Sequence, residues 1–287
     1  MTKRLADKVA VVTGAGSDAG IGKEVALAMA AEGAKVVVND ISKSADGAYG
    51  ADKVVKEIKR AKGIAVANYD SVATMAGARN IIKTAISNFG RIDILVHTAG
   101  IFICKPTLDH TETEWNRVLD VHLRGLFGCA QAAVKEMLKQ KSGGRIINIT
   151  SNAAFPPGLG PGPSIAYCTA KAGVLGFTKC LSLEMEEYGI TVNAIAPVAV
   201  TRLFPIEGKV VNGIQMFGPE FVAPVIVYLA TDEAKDITGQ VIYSGSGDLI
   251  IYSPPLQTPG AHQCLHKDGK WTVDELIEIM PGMVKSR

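Results

Sequence analysis

The sequence predicts an α/β protein built on a single doubly wound parallel sheet with helices on both faces. Short apolar runs alternate with helix-length segments along most of the chain, which is the pattern of repeated β-α-β units. The runs consist mainly of Val, Ile and Ala with little polar alternation, as in strands that are covered on both faces. No linker rich in Ser or Pro and no internal repeat divides the chain, so one main domain is the simplest interpretation.

The individual elements follow from apolar periodicity and from the Gly and Pro residues between the runs. The predicted strands are Val9–Thr13, Lys35–Asn39, Ile64–Asn68, Ile94–His97, Arg145–Thr150, Thr191–Ala196 and Val241–Tyr243. The predicted helices are Gly22–Glu32, Ala51–Ala61, Ala73–Phe89, Glu112–Gln140, Ile165–Tyr188 and Pro219–Ala230. We therefore assign residues 1–248 to one domain and residues 249–287, where the pattern is lost, to a C-terminal extension.

Two segments depart from the alternation of strands and helices. Phe155–Pro163 is rich in Pro and Gly, which break both kinds of regular element. In the extension, Leu249–Tyr252 can continue a strand, and a capping-box pattern at Thr272 predicts a short helix that ends near Met280.

Composition limits the classes of function. The chain has 287 residues, of which 47% are apolar and 20% charged, enough for a large core. Its net charge of +2 is too small to indicate a nucleic acid or an anionic membrane as partner. No apolar run reaches the roughly 18 residues that a membrane span needs. No secretory signal is evident and the five cysteines are scattered, so we expect reduced thiols and a cytoplasmic location.

Three candidate metal ligands stand close together in the extension: His262, Cys264 and His266. A structural zinc usually needs four ligands in two spaced pairs, and no fourth ligand is evident. We expect no metal and interpret this segment as a surface loop or a subunit contact.

A glycine-rich segment, Thr13–Gly22, follows the first predicted strand and opens the first helix. In that position backbone N–H groups and the positive end of the helix can bind a pyrophosphate, and glycines permit the close approach. The segment indicates a Rossmann-type dinucleotide site, although a plain tight turn would have a similar composition.

Asp40 ends the second predicted strand, 18 residues after Gly22. A carboxylate there can accept hydrogen bonds from a ribose 2′-hydroxyl and would repel a 2′-phosphate. Since no Arg or Lys stands directly beside Asp40, the sequence favours NAD over NADP; a solvated acid at a strand end is the alternative.

Tyr167 and Lys171 are four residues apart on a predicted helix and therefore lie on the same face, with Ser151 upstream. A phenol has a pKa of about 10, and a neighbouring ammonium favours the phenolate. We expect Lys171, a bound cofactor cation and a low local dielectric to lower the pKa of Tyr167 towards neutrality, which would make it an acid/base group.

In combination these motifs resemble the short-chain dehydrogenase/reductase family, over the range from Leu5 to Gly247. The closest resemblance is to the (3R)-hydroxyacyl-CoA dehydrogenase domains of peroxisomal multifunctional enzymes of type 2 and to their bacterial single-domain relatives. The motifs that carry it are the glycine-rich turn, Asp40, Asp70, His97-Thr98-Ala99-Gly100, Ser151, Tyr167, Lys171 and Pro197.

The resemblance implies a role for each matching residue. Tyr167 is the general acid/base, Lys171 lowers its pKa and holds the nicotinamide ribose, and Ser151 orients the substrate oxygen. Asp70 would bind the adenine amino group and Thr201 the nicotinamide amide. The implied NAD-binding set is Gly14, Gly16, Ser17, Gly20, Ile21, Gly22, Asp40, Asp70, Ser71, Ala99, Gly100, Tyr167, Lys171, Pro197 and Thr201.

His122 stands where the family has a helix Asn that holds a proton-relay water. We predict that His122 supports catalysis; a packing role is the alternative. The chain also departs from the family in a longer glycine turn and a longer gap between Ser151 and Tyr167, which contains the Pro/Gly insert.

The segment Thr201–Gly218 would close the substrate pocket, and its apolar residues suit an aliphatic, alicyclic or aromatic substrate. The leading hypothesis is an NAD-dependent dehydrogenase or reductase for a small hydroxy or keto substrate of the 3-hydroxyacyl-CoA type. A hydroxysteroid or cyclic alcohol or ketone is the second hypothesis, and a non-catalytic NAD-binding sensor or scaffold is the third. The resemblance also implies a homotetramer or homodimer.

Overall fold

A computed structural model of the chain describes residues 3–45, 47–155, 162, 164–204, 210–211, 214–215, 217–245 and 248–252. The strands are β1 (Val9–Thr13), β2 (Lys35–Asn39), β3 (Ile64–Asn68), β4 (Ile94–His97), β5 (Gly144–Ile149), β6 (Ile190–Val198), β7 (Val210–Val211), β8 (Ile214–Gln215), β9 (Val241–Gly245) and β10 (Asp248–Tyr252). The α-helices are α1 (Ile21–Ala31), α2 (Gly50–Arg60), α3 (Met75–Phe89), α4 (Glu112–Leu119), α5 (Gly125–Gln140), α6 (Ile165–Met185) and α7 (Ala223–Leu229).

Eight strands form one sheet in the order β10-β9-β6-β5-β4-β1-β2-β3, and β7 and β8 form a separate hairpin. Every neighbouring pair from β3 to β9 is parallel, so the predicted doubly wound sheet is confirmed. The strand order reverses between β1 and β4, because the chain winds from β1 to β3 on one side and from β4 onward on the other. In such sheets ligands bind at the carboxyl ends of the strands beside this switch point.

Two apolar layers cover the sheet, as the uninterrupted Val, Ile and Ala runs predict. One layer packs α1, α2 and α7 against residues such as Val12, Val36 and Ile195. The other packs α3, α5 and α6 against residues such as Val11 and Ile146. Central strands such as β1 and β2 therefore contribute alternate side chains to the two cores, which fix the carboxyl ends of these strands at one edge of the sheet.

The predicted helix Glu112–Gln140 is interrupted by a π-helical turn at Asp120–Arg124. The helix begins at Glu112, as predicted, and a capping box between Thr111 and Glu114 fixes this start. A π turn inserts one extra residue and is often found at functional sites. Apolar periodicity alone does not distinguish such a turn from regular helix.

The last strand, β10, is antiparallel to β9 and lies at the edge of the sheet. This strand includes Leu249–Tyr252, for which the sequence predicts a continuing strand within the extension. The domain division itself stays a prediction. Residues 253–287, with the predicted helix and the His/Cys segment, lie outside the described residues, as do most of the Pro/Gly insert and much of the Thr201–Gly218 segment.

Within the described ranges, no helix is long and apolar enough to cross a membrane. The same part of the chain holds no group of three or more His, Cys, Asp or Glu side chains placed to bind a metal ion.

Candidate active site

The sequence-predicted site residues meet at one edge of the sheet, at or beyond the carboxyl ends of the strands. The glycine-rich turn follows β1, Asp40 follows β2, and Asp70 and Ser71 follow β3. Ala99 and Gly100 follow β4, Ser151 follows β5, Pro197 lies near the end of β6 and Thr201 just beyond it, and Tyr167 and Lys171 lie in the first half of α6.

The glycine-rich turn needs glycine where its backbone passes other backbone. Gly14 has a φ of 64°, and a Cβ at this position would lie 2.6 Å from the Cα of Ala99. A Cβ on Gly16 would lie 2.7 Å from the backbone nitrogen of Ala51. These contacts place β1, β4 and α2 close together around the turn, and larger residues would force them apart.

The Asp40 carboxylate is fixed by two backbone donors. Its Oδ2 accepts a hydrogen bond from the Gly16 N–H at 2.8 Å, and its Oδ1 accepts one from the Ser42 N–H at 2.7 Å. Asp40 is thereby joined to the glycine-rich turn. A carboxylate has about four lone-pair sites, so two acceptor positions remain for further hydroxyl donors.

Asp70 is held in a similar way by amide side chains. Asn68 Nδ2 donates to Asp70 Oδ2 at 2.8 Å, and Asn80 Nδ2 donates to Asp70 Oδ1 at 3.2 Å. Asn39 of β2 donates to the Asp70 carbonyl oxygen at 2.9 Å, which fixes the backbone beyond β3. The neighbouring Ser71 hydroxyl accepts from the Ala73 N–H at 3.2 Å.

Ser151 and Tyr167 form the centre of the candidate site. The Ser151 hydroxyl oxygen accepts from the Ala153 N–H at 3.1 Å, which leaves its own proton free to donate. The Tyr167 side chain is buried, with a relative exposure of 5%. Burial raises the pKa of Tyr167 to about 12, while the hydrogen bond from Ser151 opposes this rise by favouring the phenolate.

Lys171 lies beneath this pair, fully enclosed. Its Nζ donates to the Ile149 carbonyl oxygen at 2.7 Å and lies 5.4 Å from the centroid of the Tyr167 ring. Burial lowers the pKa of Lys171 to about 7. The ammonium is therefore close to its titration point at neutral pH.

In the chain by itself, the low dielectric acts against the expected lowering of the Tyr167 pKa. The expectation that Lys171 and a bound cofactor cation together lower this pKa stays a prediction. Desolvation dominates at both groups: it raises the pKa of the phenol and lowers that of the amine. The sequence shows the spacing of the two residues but not the extent to which both are buried.

His122 lies in the π turn and faces Tyr167 with its ring edge, at a centroid distance of 5.4 Å and an angle of 87°. Its Nε2 is 3.1 Å from the Ile101 nitrogen and 2.8 Å from the Ile101 carbonyl oxygen. The ring packs so closely on Gly100 that a Cβ there would lie 2.6 Å from His122 Cε1. Burial, followed by the positive charge of Lys171, holds the pKa of His122 well below its usual range, so the ring is neutral.

His97 is also buried in this region. Its Nδ1 is 3.2 Å from the Thr13 hydroxyl, which accepts from the Ala99 N–H and can therefore donate to the ring. Burial and then the charge of Lys171 lower the pKa of His97 to about 3. The two histidines and Lys171 thus share one desolvated polar region between the sheet and α6.

An apolar wall adjoins the Tyr167 ring. Phe102 packs edge-on against it, with ring centroids 5.2 Å apart, and Phe204 lies 5.6 Å from Phe102. Thr201 is buried and exchanges backbone hydrogen bonds with Phe204, while the Arg202 N–H donates to the Ala19 carbonyl oxygen. The segment after β6 is in this way tied to the glycine-rich turn. Phe102 is not predictable from the sequence, because one aromatic residue in a loop carries no distinctive signal.

The residues around the turn fit a dinucleotide cofactor. The Ser17 hydroxyl is buried and has no hydrogen-bond partner in the part of the chain that the structure describes. It lies before the N-terminus of α1. The N-cap residue of this helix is Gly20, which has no side chain, so no side-chain cap satisfies the free N–H groups of the first turn. A buried hydroxyl and free helix N–H groups are donors suited to a phosphate.

Comparisons with known proteins identify the family that this chain resembles. The short chain dehydrogenase family model matches residues 8–204. Peroxisomal multifunctional enzyme type 2 of Drosophila melanogaster is 43% identical over 245 residues, which cover 84% of this chain but only 39% of that protein. A 3-oxoacyl-(acyl-carrier-protein) reductase of Synechocystis is 42% identical over 255 residues, covering 86% of this chain and 99% of the reductase.

A similar fold is found among solved structures. The crystal structure of a short chain dehydrogenase from Mycobacterium avium has a TM-score of 0.84 and 36% sequence identity. The match covers 98% of this chain and 96% of that one.

Proposed function

Because this chain belongs to the short-chain dehydrogenase family, we propose that it is an NAD-dependent oxidoreductase that interconverts a secondary alcohol and a ketone. The observation that carries the proposal is the grouping of Ser151, Tyr167 and Lys171 at the sheet edge that also holds the glycine-rich turn. Such a reaction needs a positioned group that exchanges a proton with the substrate oxygen while hydride moves to or from carbon.

The protein groups divide the proton chemistry between them. In ketone reduction the Tyr167 phenol donates its proton to the substrate oxygen, and the Ser151 hydroxyl donates a hydrogen bond to the same oxygen. In alcohol oxidation Tyr167 accepts that proton. Since burial lowers the pKa of Lys171 to about 7, its amine can exchange protons near neutral pH. NAD, when bound, carries the hydride, and its oxidised ring adds positive charge that favours the phenolate.

NAD rather than NADP is supported by Asp40. Its carboxylate is fixed beside the glycine-rich turn, where it can accept hydrogen bonds from ribose hydroxyls and would repel a 2′-phosphate. The cation next along the chain, Lys43, lies over the ring of Tyr49 with its Nζ 4.4 Å from the centroid. That contact occupies the lysine in a cation–π interaction.

The leading substrate class is a 3-hydroxyacyl or 3-oxoacyl thioester, first among them a 3-hydroxyacyl-CoA. The support is the similarity to a 3-oxoacyl-(acyl-carrier-protein) reductase and the apolar wall of Phe102 and Phe204 beside Tyr167. An acyl chain is apolar and would be bound by such a wall.

A panel assay tests the proposal. Acetoacetyl-CoA, 3-hydroxybutyryl-CoA, cyclic alcohols and ketones, and hydroxysteroids are each offered with NAD(H) and with NADP(H), and absorbance at the nicotinamide band is followed. We expect turnover of the CoA thioesters with NAD(H) and at least tenfold lower kcat/KM with NADP(H). Turnover confined to steroids or cyclic substrates would favour a hydroxysteroid or cyclic alcohol dehydrogenase. NAD binding without turnover of any compound would favour a non-catalytic sensor.

We also propose a homotetramer or homodimer in a reducing, cytoplasmic environment. Exposed apolar side chains on the two long helices support pairing between subunits: Phe127 is 45% exposed and Leu183 is 62% exposed. The cysteines within the described ranges are all free thiols, which supports a reducing compartment. Sedimentation velocity at micromolar concentration checks the assembly, and a monomer would contradict it.

A further inference from the structure

The edge hairpin of β9 and β10 contacts the segment that follows Ser151. The Tyr252 hydroxyl donates to Asn152 Oδ1 at 3.0 Å. The Tyr252 ring also stacks on Phe155, with centroids 4.6 Å apart and an angle of 29° between the rings. One side chain from the last described strand thus holds both ends of a short segment next to the candidate active site.

That segment is a single turn built on Ser151. Ser151 caps the 3₁₀ helix Asn152–Ala154: its hydroxyl oxygen accepts from the Ala153 N–H, and its carbonyl oxygen accepts from the Ala154 N–H at 3.0 Å. The Phe155 N–H donates to the Asn152 carbonyl oxygen at 3.0 Å and closes the turn. Because the Ser151 hydroxyl is part of the cap, a shift of the turn also redirects this hydroxyl.

The sheet register shows that Tyr252 approaches from the side of α6. Tyr252 pairs with Val241, Val241 with Ala194, and Ala194 with Asn148. Paired residues on neighbouring strands share a face of the sheet. Asn148 donates to the Thr178 hydroxyl of α6 at 2.9 Å, so this row faces the helix that carries Tyr167 and Lys171.

We propose that Tyr252 is a positioning residue that holds the Ser151 turn, and thereby the Ser151 hydroxyl, in place against Tyr167. The consequence for turnover rests on the proposed function, whereas the hold on the turn does not. Tyr252 acts through two contacts that can be removed separately: the hydrogen bond to Asn152 fixes the start of the turn, and the stack on Phe155 fixes its end.

Hydrogen exchange tests the hold without any substrate. Tyr252→Phe removes the hydrogen bond and keeps the ring, and Tyr228→Phe is the matched control because Tyr228 is exposed on α7. We expect the Ala153, Ala154 and Phe155 amides to exchange roughly fivefold faster in Tyr252→Phe, as for loss of one neutral hydrogen bond. The control should exchange at the wild-type rate.

A double-mutant cycle tests whether Tyr252 acts on kcat through Asn152. In reduction of acetoacetyl-CoA by NADH, Tyr252→Phe and Asn152→Ala should each lower kcat roughly fivefold, and the double variant should be no slower than either single variant. The Kd for NADH should not change, since four strands separate β10, which carries Tyr252, from β1, which the glycine-rich turn follows.

Wild-type exchange rates in Tyr252→Phe, or additive losses of kcat in the double variant, would overturn the positioning role. If the wild-type protein does not reduce acetoacetyl-CoA, the proposed substrate is wrong, and the exchange rates still decide whether Tyr252 holds the turn.

Discussion

At the scale of single residues, burial determines the protonation of the candidate site. Tyr167 and Lys171 are each at most 5% exposed, and desolvation is the largest influence on the pKa of both groups. The neutral form of each group is favoured when water is removed. The site therefore holds a protonated phenol and an amine close to its titration point, an arrangement suited to proton donation.

Lys171 should make stability depend on pH in a defined direction. Its pKa is about 7 in the folded protein and 10.5 in the reference state, so between these values the unfolded chain binds a proton that the folded chain has lost. The free energy of unfolding should therefore rise with pH in this window, by at most roughly 1.4 kcal/mol per pH unit. Below pH 7 this contribution stays constant.

Urea unfolding of the wild type and of Lys171→Met at pH 7, 8 and 9 measures this contribution. We expect the difference in unfolding free energy, wild type minus variant, to increase with pH. A difference that is independent of pH would show that Lys171 is charged in the folded protein.

His122 is predicted to act through the Ile101 backbone. Its Nε2 lies within hydrogen-bond distance of both the Ile101 N–H and the Ile101 carbonyl, although one nitrogen can serve only one of them at a time. An Asn amide has both a donor and an acceptor, so His122→Asn can satisfy both groups. His122→Ala leaves a cavity in place of the buried ring and removes the hydrogen-bond partner of the Ile101 backbone.

We expect His122→Asn to keep most of the wild-type kcat and His122→Ala to lower it about tenfold, with a loss of about 2–4 kcal/mol in stability. Steady-state kinetics and denaturant unfolding of the two variants check this. Equal kcat in all three proteins would remove His122 from the mechanism.

At the scale of elements, the glycine-rich turn depends on how closely β1, β4 and α1 approach one another. A Cβ on Gly22 would lie 2.6 Å from the Gly14 carbonyl oxygen and 2.9 Å from the Ala15 Cα. A Cβ on Gly176, which is exposed on α6, would have no other atom within 4 Å among the described residues. Gly22 lies in the first turn of α1 and Gly176 in the middle of α6, and of the two only Gly22 is crowded.

Gly22→Ala should weaken NADH binding at least tenfold and lower the free energy of unfolding by about 1–3 kcal/mol, because the turn has to move. Gly176→Ala should bind NADH normally and gain up to about 1 kcal/mol from helix propensity. Fluorescence titration with NADH and urea unfolding measure both. Normal binding by Gly22→Ala would contradict a cofactor site at this turn.

Elements with a strong local signal were predictable from the sequence, and those that depend on packing were not. The runs Val9–Thr13 and Lys35–Asn39 were identified with their observed bounds, because Val-rich strands end at polar or Gly residues. The π turn at Asp120–Arg124 has no periodicity of its own. The contact between Tyr252 and Asn152 joins residues 100 positions apart, so neither residue marks it in the sequence.

At the scale of the whole molecule, the sheet order explains why distant residues form one site. The crossovers bring the ends of β1, β4 and β5 side by side, and α6 packs on β5 and β6 next to them. The membership of the candidate site was therefore predictable from strand ends and motif spacing. Its electrostatics were not, since the pKa values of Tyr167 and Lys171 depend on how much water the assembled layers exclude.

The central claim is that Tyr167 exchanges the proton with the substrate oxygen. Tyr167→Phe removes only the hydroxyl and keeps the ring contacts with Phe102 and His122. The most direct measurement is kcat/KM for acetoacetyl-CoA with NADH, together with the Kd for NADH. We predict that Tyr167→Phe lowers kcat/KM by roughly 10²–10⁴-fold, whereas the Kd for NADH changes far less than kcat/KM does. Wild-type kcat/KM in Tyr167→Phe would contradict the account.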